Sequence, residues 1–74
     1  MISVKTRIAE LRKERKISQE ELAQEVFVSR QTIISIEKEK YMASLPLAYK
    51  ISQFFELPIE EVFDLKGAVE SGEI

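Results

Sequence analysis

Two helix-start signals follow each other closely at Ser18 and Ser29, and their spacing constrains this 74-residue chain more than any other feature. Ser18-Gln-Glu-Glu21 has the form of a capping box: the serine hydroxyl accepts from a first-turn amide while Glu21 reaches back to the cap. The helix it opens, Gln19–Val26, turns Leu22, Ala23 and Val26 inward at helical spacing. Only Phe27 and Val28 intervene before Ser29 caps a second helix, Arg30–Glu37, with Thr32, Ile33 and Ile36 at the same spacing. Helices joined this tightly cannot lie antiparallel, because the chain has no length in which to fold back. They must cross steeply, as in a helix-turn-helix unit.

The rest of the chain reads as helical too, giving an all-α fold of five helices. Thr6–Lys16 places Ile8 and Leu11 on one stripe and basic residues elsewhere. Ser44 caps a fourth helix with Pro46 in its first turn, where amides have no intrahelical partner. Leu47, Ala48, Ile51 and Phe54 or Phe55 form its inward stripe. Pro58 leads into a short fifth helix, Ile59–Phe63, whose Glu60 and Glu61 suit the positive end of a helix dipole. Ile2-Ser-Val4 alternates over too few residues for more than a short terminal β-strand. Residues 1–66 are expected to form one domain, and the small, acidic residues 67–74 a flexible tail.

Composition removes several classes of function. With no cysteine and no histidine, the chain lacks disulfides, thiolate chemistry and the usual zinc ligands, and no metal or cofactor is expected. No nucleophile–base set is legible either, which speaks against an enzyme. Met-Ile-Ser-Val-Lys lacks the apolar run of a leader or a membrane span, so a cytoplasmic protein is the expectation. The net charge of −2 argues on its face against nucleic acid. The average hides two unlike halves. Residues 1–40 hold nine Lys/Arg against seven acids, and residues 41–74 two against six.

The helical period sorts the second motif helix into two faces. With Ile33, Ile36 and Glu37 inward, Arg30, Gln31, Ile34 and Ser35 face outward near its start. Arg and Gln are the side chains that hydrogen-bond base edges in pairs, Arg to guanine and Gln to adenine. Ile34 cannot be buried beside Ile33, and an outward isoleucine here either meets a thymine methyl or packs on the Phe27 turn. The plain alternative for Arg30, Gln31 and Ser35 is a solvated helix face.

The run Ile17–Glu37, followed by Lys40-Tyr41 and Ser44-Leu45-Pro-Leu-Ala48, resembles the Cro/xenobiotic-response-element helix-turn-helix family, which includes phage repressors. The likeness extends from about Arg7 to Leu65 and implies a lambda-repressor-like domain that binds double-stranded DNA and regulates transcription, most simply as a repressor. By the same resemblance Arg30, Gln31 and Ser35 read base edges. Gln19 bonds a phosphate and braces the recognition helix, and Ser29 and Thr32 reach phosphate or base. Lys38 and Lys40 contact the backbone, and Arg12 and Glu37 form an internal ion pair that serves structure. The chain departs from the family at Phe27, where a glycine usually makes the turn, and at Lys38-Glu39, which replaces an Asn-Gly. A left-handed backbone costs a bulky residue about 1–2 kcal/mol, so the turn is expected either to be reshaped or to bury the Phe27 ring. The recognition helix is expected to run longer or to end without a glycine cap.

Phe54, Phe55, Leu57, Val62 and Phe63 exceed what one small core is expected to hide, which points to a dimer interface. A symmetric homodimer would set two recognition helices about 34 Å apart on a palindromic operator. No small-molecule ligand is evident. The competing reading is a protein-interaction module of the same fold, such as the toxin-binding half of an antitoxin, favoured by the acidic average charge.

Overall fold

The computed structural model describes residues 5–64. In chain order these form β1 (Lys5–Thr6), α1 (Ile8–Arg15), α2 (Gln19–Glu25), α3 (Arg30–Glu37), α4 (Leu45–Phe54), α5 (Ile59–Val62) and β2 (Phe63–Asp64). All five expected helices are present. Three start where serine hydroxyls take up an orphan amide: Ser18 accepts from Glu21 N, Ser29 from Thr32 N and Ser44 from Leu47 N. Each such cap contributes about 1 kcal/mol. At Ser18 the reciprocal bond from Ser18 N to Glu21 Oε1 completes the box at 3.3 Å.

Four helices end alike, and none of them on glycine. After α1, α2, α3 and α4 the residues Lys16, Phe27, Glu39 and Glu56 take φ of 58°, 61°, 62° and 60°. At each end two reversed bonds close the helix: Lys16 N to Lys13 O with Ile17 N to Arg12 O, Phe27 N to Gln24 O with Val28 N to Ala23 O, Glu39 N to Ile36 O with Lys40 N to Ser35 O, and Glu56 N to Gln53 O with Leu57 N to Ser52 O. This is the Schellman pattern. Its customary apolar contact is made by Ile17, Val28 and Leu57, which pack on the core, whereas the matching residue after α3 is the exposed Lys40. The turn at Phe27 is therefore not reshaped, and α3 ends at Glu37 without a glycine.

The core draws on every helix. Ile8, Leu22, Ile33 and Ile51 are wholly buried, with Leu11, Ala23, Val26, Ile36, Leu47 and Ala48 around them. Phe55 rather than Phe54 takes the deeper place at the end of α4. Lys5 pairs with Asp64 and Thr6 with Phe63 in an antiparallel ribbon that ties the start of α1 to α5. One expectation is corrected here, and two fall outside the described residues. The strand forms at Lys5–Thr6, while Ile2–Val4 and the tail at 67–74 lie outside the described residues. Phe63 belongs to β2 and not to the fifth helix. Among the described residues no helix is long and apolar enough to cross a membrane.

Two arginines fasten this frame. Arg15 donates to the carbonyls of Phe54 and Phe55 at 3.2 and 2.9 Å, closing the C-terminal end of α4. Arg7 bonds Glu10 at 2.8 Å and the Glu61 carbonyl at 3.1 Å. The Glu10 hydrogen bond is the main reason its guanidinium is held above its ordinary pKa.

Candidate nucleic-acid interface

The position of α3 is fixed from behind. Ile33 and Ile36 are buried at 0% and 1% exposure, and they anchor the helix against the core. At its far end Glu37 receives Arg12 Nε at 2.8 Å, Arg12 Nη2 at 3.1 Å and Gln19 Nε2 at 3.1 Å. Arg12 also donates to the Ile17 carbonyl at 3.1 Å. One carboxylate thus joins α1, α2 and α3. Hydrogen bonding from Glu37 holds the Arg12 guanidinium above its ordinary pKa, against the opposing effect of burial. A forked pair of this kind sets geometry more dependably than it adds stability. The side chain of Gln19 is engaged in this brace.

The outer face of α3 is different in kind. Arg30 and Gln31 are exposed, while Thr32, Ile34 and Ser35 are half-buried. The Ser29 and Thr32 hydroxyls face each other at 3.0 Å, and Ser29 Oγ already accepts from Thr32 N. These two hydroxyls complete the cap before they can serve a ligand. Arg30 stands apart among the four arginines: the guanidinium groups of Arg7, Arg12 and Arg15 are all engaged, and that of Arg30 makes no hydrogen bond or ion pair among the described residues. It also occupies the first helical position, where the dipole of α3 disfavours a cation, and no acid sits in that turn.

Beyond α3, Lys38 and Lys40 are exposed on either side of the exposed Glu39. Tyr41 follows at 50% exposure and lines a shallow depression with Ser29, Gln31, Thr32 and Ser35. Sequence reasoning assigns Tyr41 no role. The one signal for it is an aromatic side chain placed directly after the two lysines.

Three of the five residues expected at a dimer interface lie elsewhere. Phe55, Val62 and Phe63 are 2%, 1% and 4% exposed within a single chain and have almost no surface to give a partner. Phe63 sits in β2 paired with Thr6, and its side chain joins the core, so the ribbon adds a residue to the core that the helices alone would not supply. Phe54 and Leu57 remain half-buried. Phe27 meets neither expectation for it: the backbone is left-handed and the ring is 83% exposed.

Comparison with known proteins agrees with this geometry. The helix-turn-helix family model matches residues 8–62. An HTH-type transcriptional regulator of Archaeoglobus fulgidus is 50% identical over 60 residues, covering 81% of this chain and 84% of that protein. The HTH-type transcriptional regulator YgzD of Bacillus subtilis is 44% identical over 63 residues, 85% of this chain and 96% of its own. Among solved structures, the restriction-modification controller protein C.AhdI of Aeromonas hydrophila superposes with a TM-score of 0.69 at 27% identity, over 74% of this chain and 83% of its own. Nothing in these matches favours the antitoxin reading. The chain belongs to the Cro/C1-type helix-turn-helix family of DNA-binding transcriptional regulators.

Proposed function

We propose that this chain is a sequence-specific double-stranded DNA-binding regulator that reads the major groove with α3, as a homodimer on a palindromic operator, and acts as a repressor. The observation that carries this reading is Arg30: exposed, without a partner among the described residues, and held at the end of a helix where its own fold disfavours a cation. A guanine edge accepts both arms of such a guanidinium, and Gln31 beside it suits adenine. Ser35 and Ile34, half-buried beneath them, come within reach of bases only if the helix seats deeply in the groove. Lys38 and Lys40 supply phosphate contacts past the C-terminal end of α3, and at the helix starts the second amide hydrogen of Gln19 and the one hydroxyl hydrogen that the Ser29–Thr32 pair leaves over supply them. Repression asks nothing further of the domain, since occupancy of the operator is enough.

The test is a binding titration against operator duplex selected from a random pool, repeated at rising salt. Phosphate contacts release counterions, so affinity should fall steeply and linearly on logarithmic axes. A flat salt response, or failure to enrich any sequence, would overturn the reading.

A further inference from the structure

Ser52 is the one buried polar residue among the described residues, and the fold makes no use of its hydroxyl. It is 2% exposed, yet the hydroxyl has no hydrogen-bond partner among the described residues. A polar group left in that state costs stability that an alanine would not. Ser52 lines an open groove of about 610 Å³ between α4 and the start of α5, a volume in the range of small-molecule sites. Leu57 and Ile59, both half-buried and packed on the core, give the groove its apolar surface. On α4, Gln53 Nε2 donates to Tyr49 Oη at 2.7 Å, which leaves the Gln53 amide oxygen to accept. The charge of the lining is one-sided. Glu56 and Glu60 belong to it, no lysine or arginine does, and neither carboxylate has a hydrogen bond or ion pair among the described residues. Glu60 sits in the first turn of α5, where an anion is suited. Glu56 follows the C-terminal end of α4, the pole that disfavours one. Arg15 takes up the Phe54 and Phe55 carbonyls at that end and leaves the Glu56 carboxylate unanswered.

We propose that this groove binds a small organic ammonium ion, its apolar body along Leu57 and Ile59 and its charged head shared among Glu56, Glu60 and the Ser52 hydroxyl. The lining selects this class of ligand. It offers acceptors and negative charge, and an ammonium group has three donors and no acceptor. An anion would meet two carboxylates and no cation, and a purely apolar ligand would leave Ser52 as it is. The Tyr49 ring, 56% exposed, adds a π face that favours a cation over a neutral head. None of these residues belongs to α3, so the site stands independently of the DNA reading.

Titration of the full chain with hexylammonium, hexanol and hexanoate, followed by backbone amide NMR shifts, tests the assignment with one apolar body and three heads. Hexylammonium should give saturable shifts confined to residues 49–60, at an affinity about tenfold above that of hexanol, and hexanoate should give none. Glu56→Gln combined with Glu60→Gln should bring hexylammonium to within a few-fold of hexanol. Ser52→Ala should leave the melting temperature unchanged or raise it, and yet weaken hexylammonium about fivefold. Loss of folding cannot produce that combination. Equal binding of the three probes would make the groove merely apolar and overturn the proposal. So would shifts scattered over the acids of α1 and α2, or a Ser52→Ala chain that binds hexylammonium as well as the natural one. None of these outcomes bears on the DNA titration.

Discussion

The two ends of α3 carry the same electrostatic fault and treat it differently. At the C-terminal end Glu37 is an anion where the helix dipole disfavours one, yet Arg12 and Gln19 surround it and its side chain is only 9% exposed. At the N-terminal end Arg30 is a cation at the wrong pole, and nothing among the described residues answers it. An unfavourable charge that is fully compensated internally belongs to the architecture. One that is left open belongs to whatever the protein meets. The contrast predicts that the two residues fail in opposite ways when removed.

Glu37→Ala should have the largest effect. It strands Arg12, whose side chain is 12% exposed, without its carboxylate. Breaking one side of a largely buried pair costs about 3 kcal/mol, which for a domain this small lowers the melting temperature by roughly 10–20 °C. Glu37→Gln should lose less, since an amide oxygen still accepts from Arg12. Thermal and urea denaturation will show it, and a loss under about 1 kcal/mol would mean that the brace is decorative.

Arg30→Ala should leave stability unchanged or raise it by a few tenths of a kcal/mol, because a cation leaves the positive pole of the helix. On operator DNA it should cost about 1–3 kcal/mol and relax preference at one base pair. Competition binding against single-base operator variants separates the two effects. If Arg30→Ala destabilised the fold or left base preference intact, the division between the ends of α3 would collapse.

How much of this is legible in the sequence follows from how local each interaction is. The serine caps at Ser18, Ser29 and Ser44 and the inward stripes are written within a few residues of each other, so pattern reading finds them. The Arg12–Glu37 pair joins residues 25 positions apart and comes only through family likeness. The helix ends are not legible, since a left-handed Lys16 or Glu56 leaves no mark in composition. Three of the five residues expected at an interface are buried in the single chain for a related reason. Counting apolar residues against core size overlooks the pairing of Thr6 with Phe63, a long-range contact that no local pattern announces. Tyr41 escapes because its neighbours across the depression, Ser29 to Ser35, are brought to it only by the turn after α3.

That turn sharpens the contrast further, with smaller effects. Glu39→Gly should stabilise the fold by about 0.5–1 kcal/mol, relief of the left-handed strain at φ 62° being partly offset by the freer unfolded chain. On the proposed docking it should also tighten binding to every duplex, by removing a negative charge beside the phosphate contacts of Lys38 and Lys40. Stability that rises without any gain in affinity would place Glu39 away from the DNA.

Lys40 makes the finest test, because its position is defined by the company it departs from. After α1, α2 and α4 the residue following the left-handed one is Ile17, Val28 or Leu57, each packed on the core. After α3 it is a lysine, exposed and with its ammonium group unpartnered among the described residues. An apolar side chain there would suit the helix end better, and a cation in its place fits the phosphate contact proposed above. Lys40→Ala should leave melting unchanged, weaken all duplexes by a similar few-fold factor, and lower the salt slope by about 1, the signature of one lost phosphate contact. Unequal losses between operator and random duplex would instead make Lys40 a reader of bases and extend the recognition face past the end of α3.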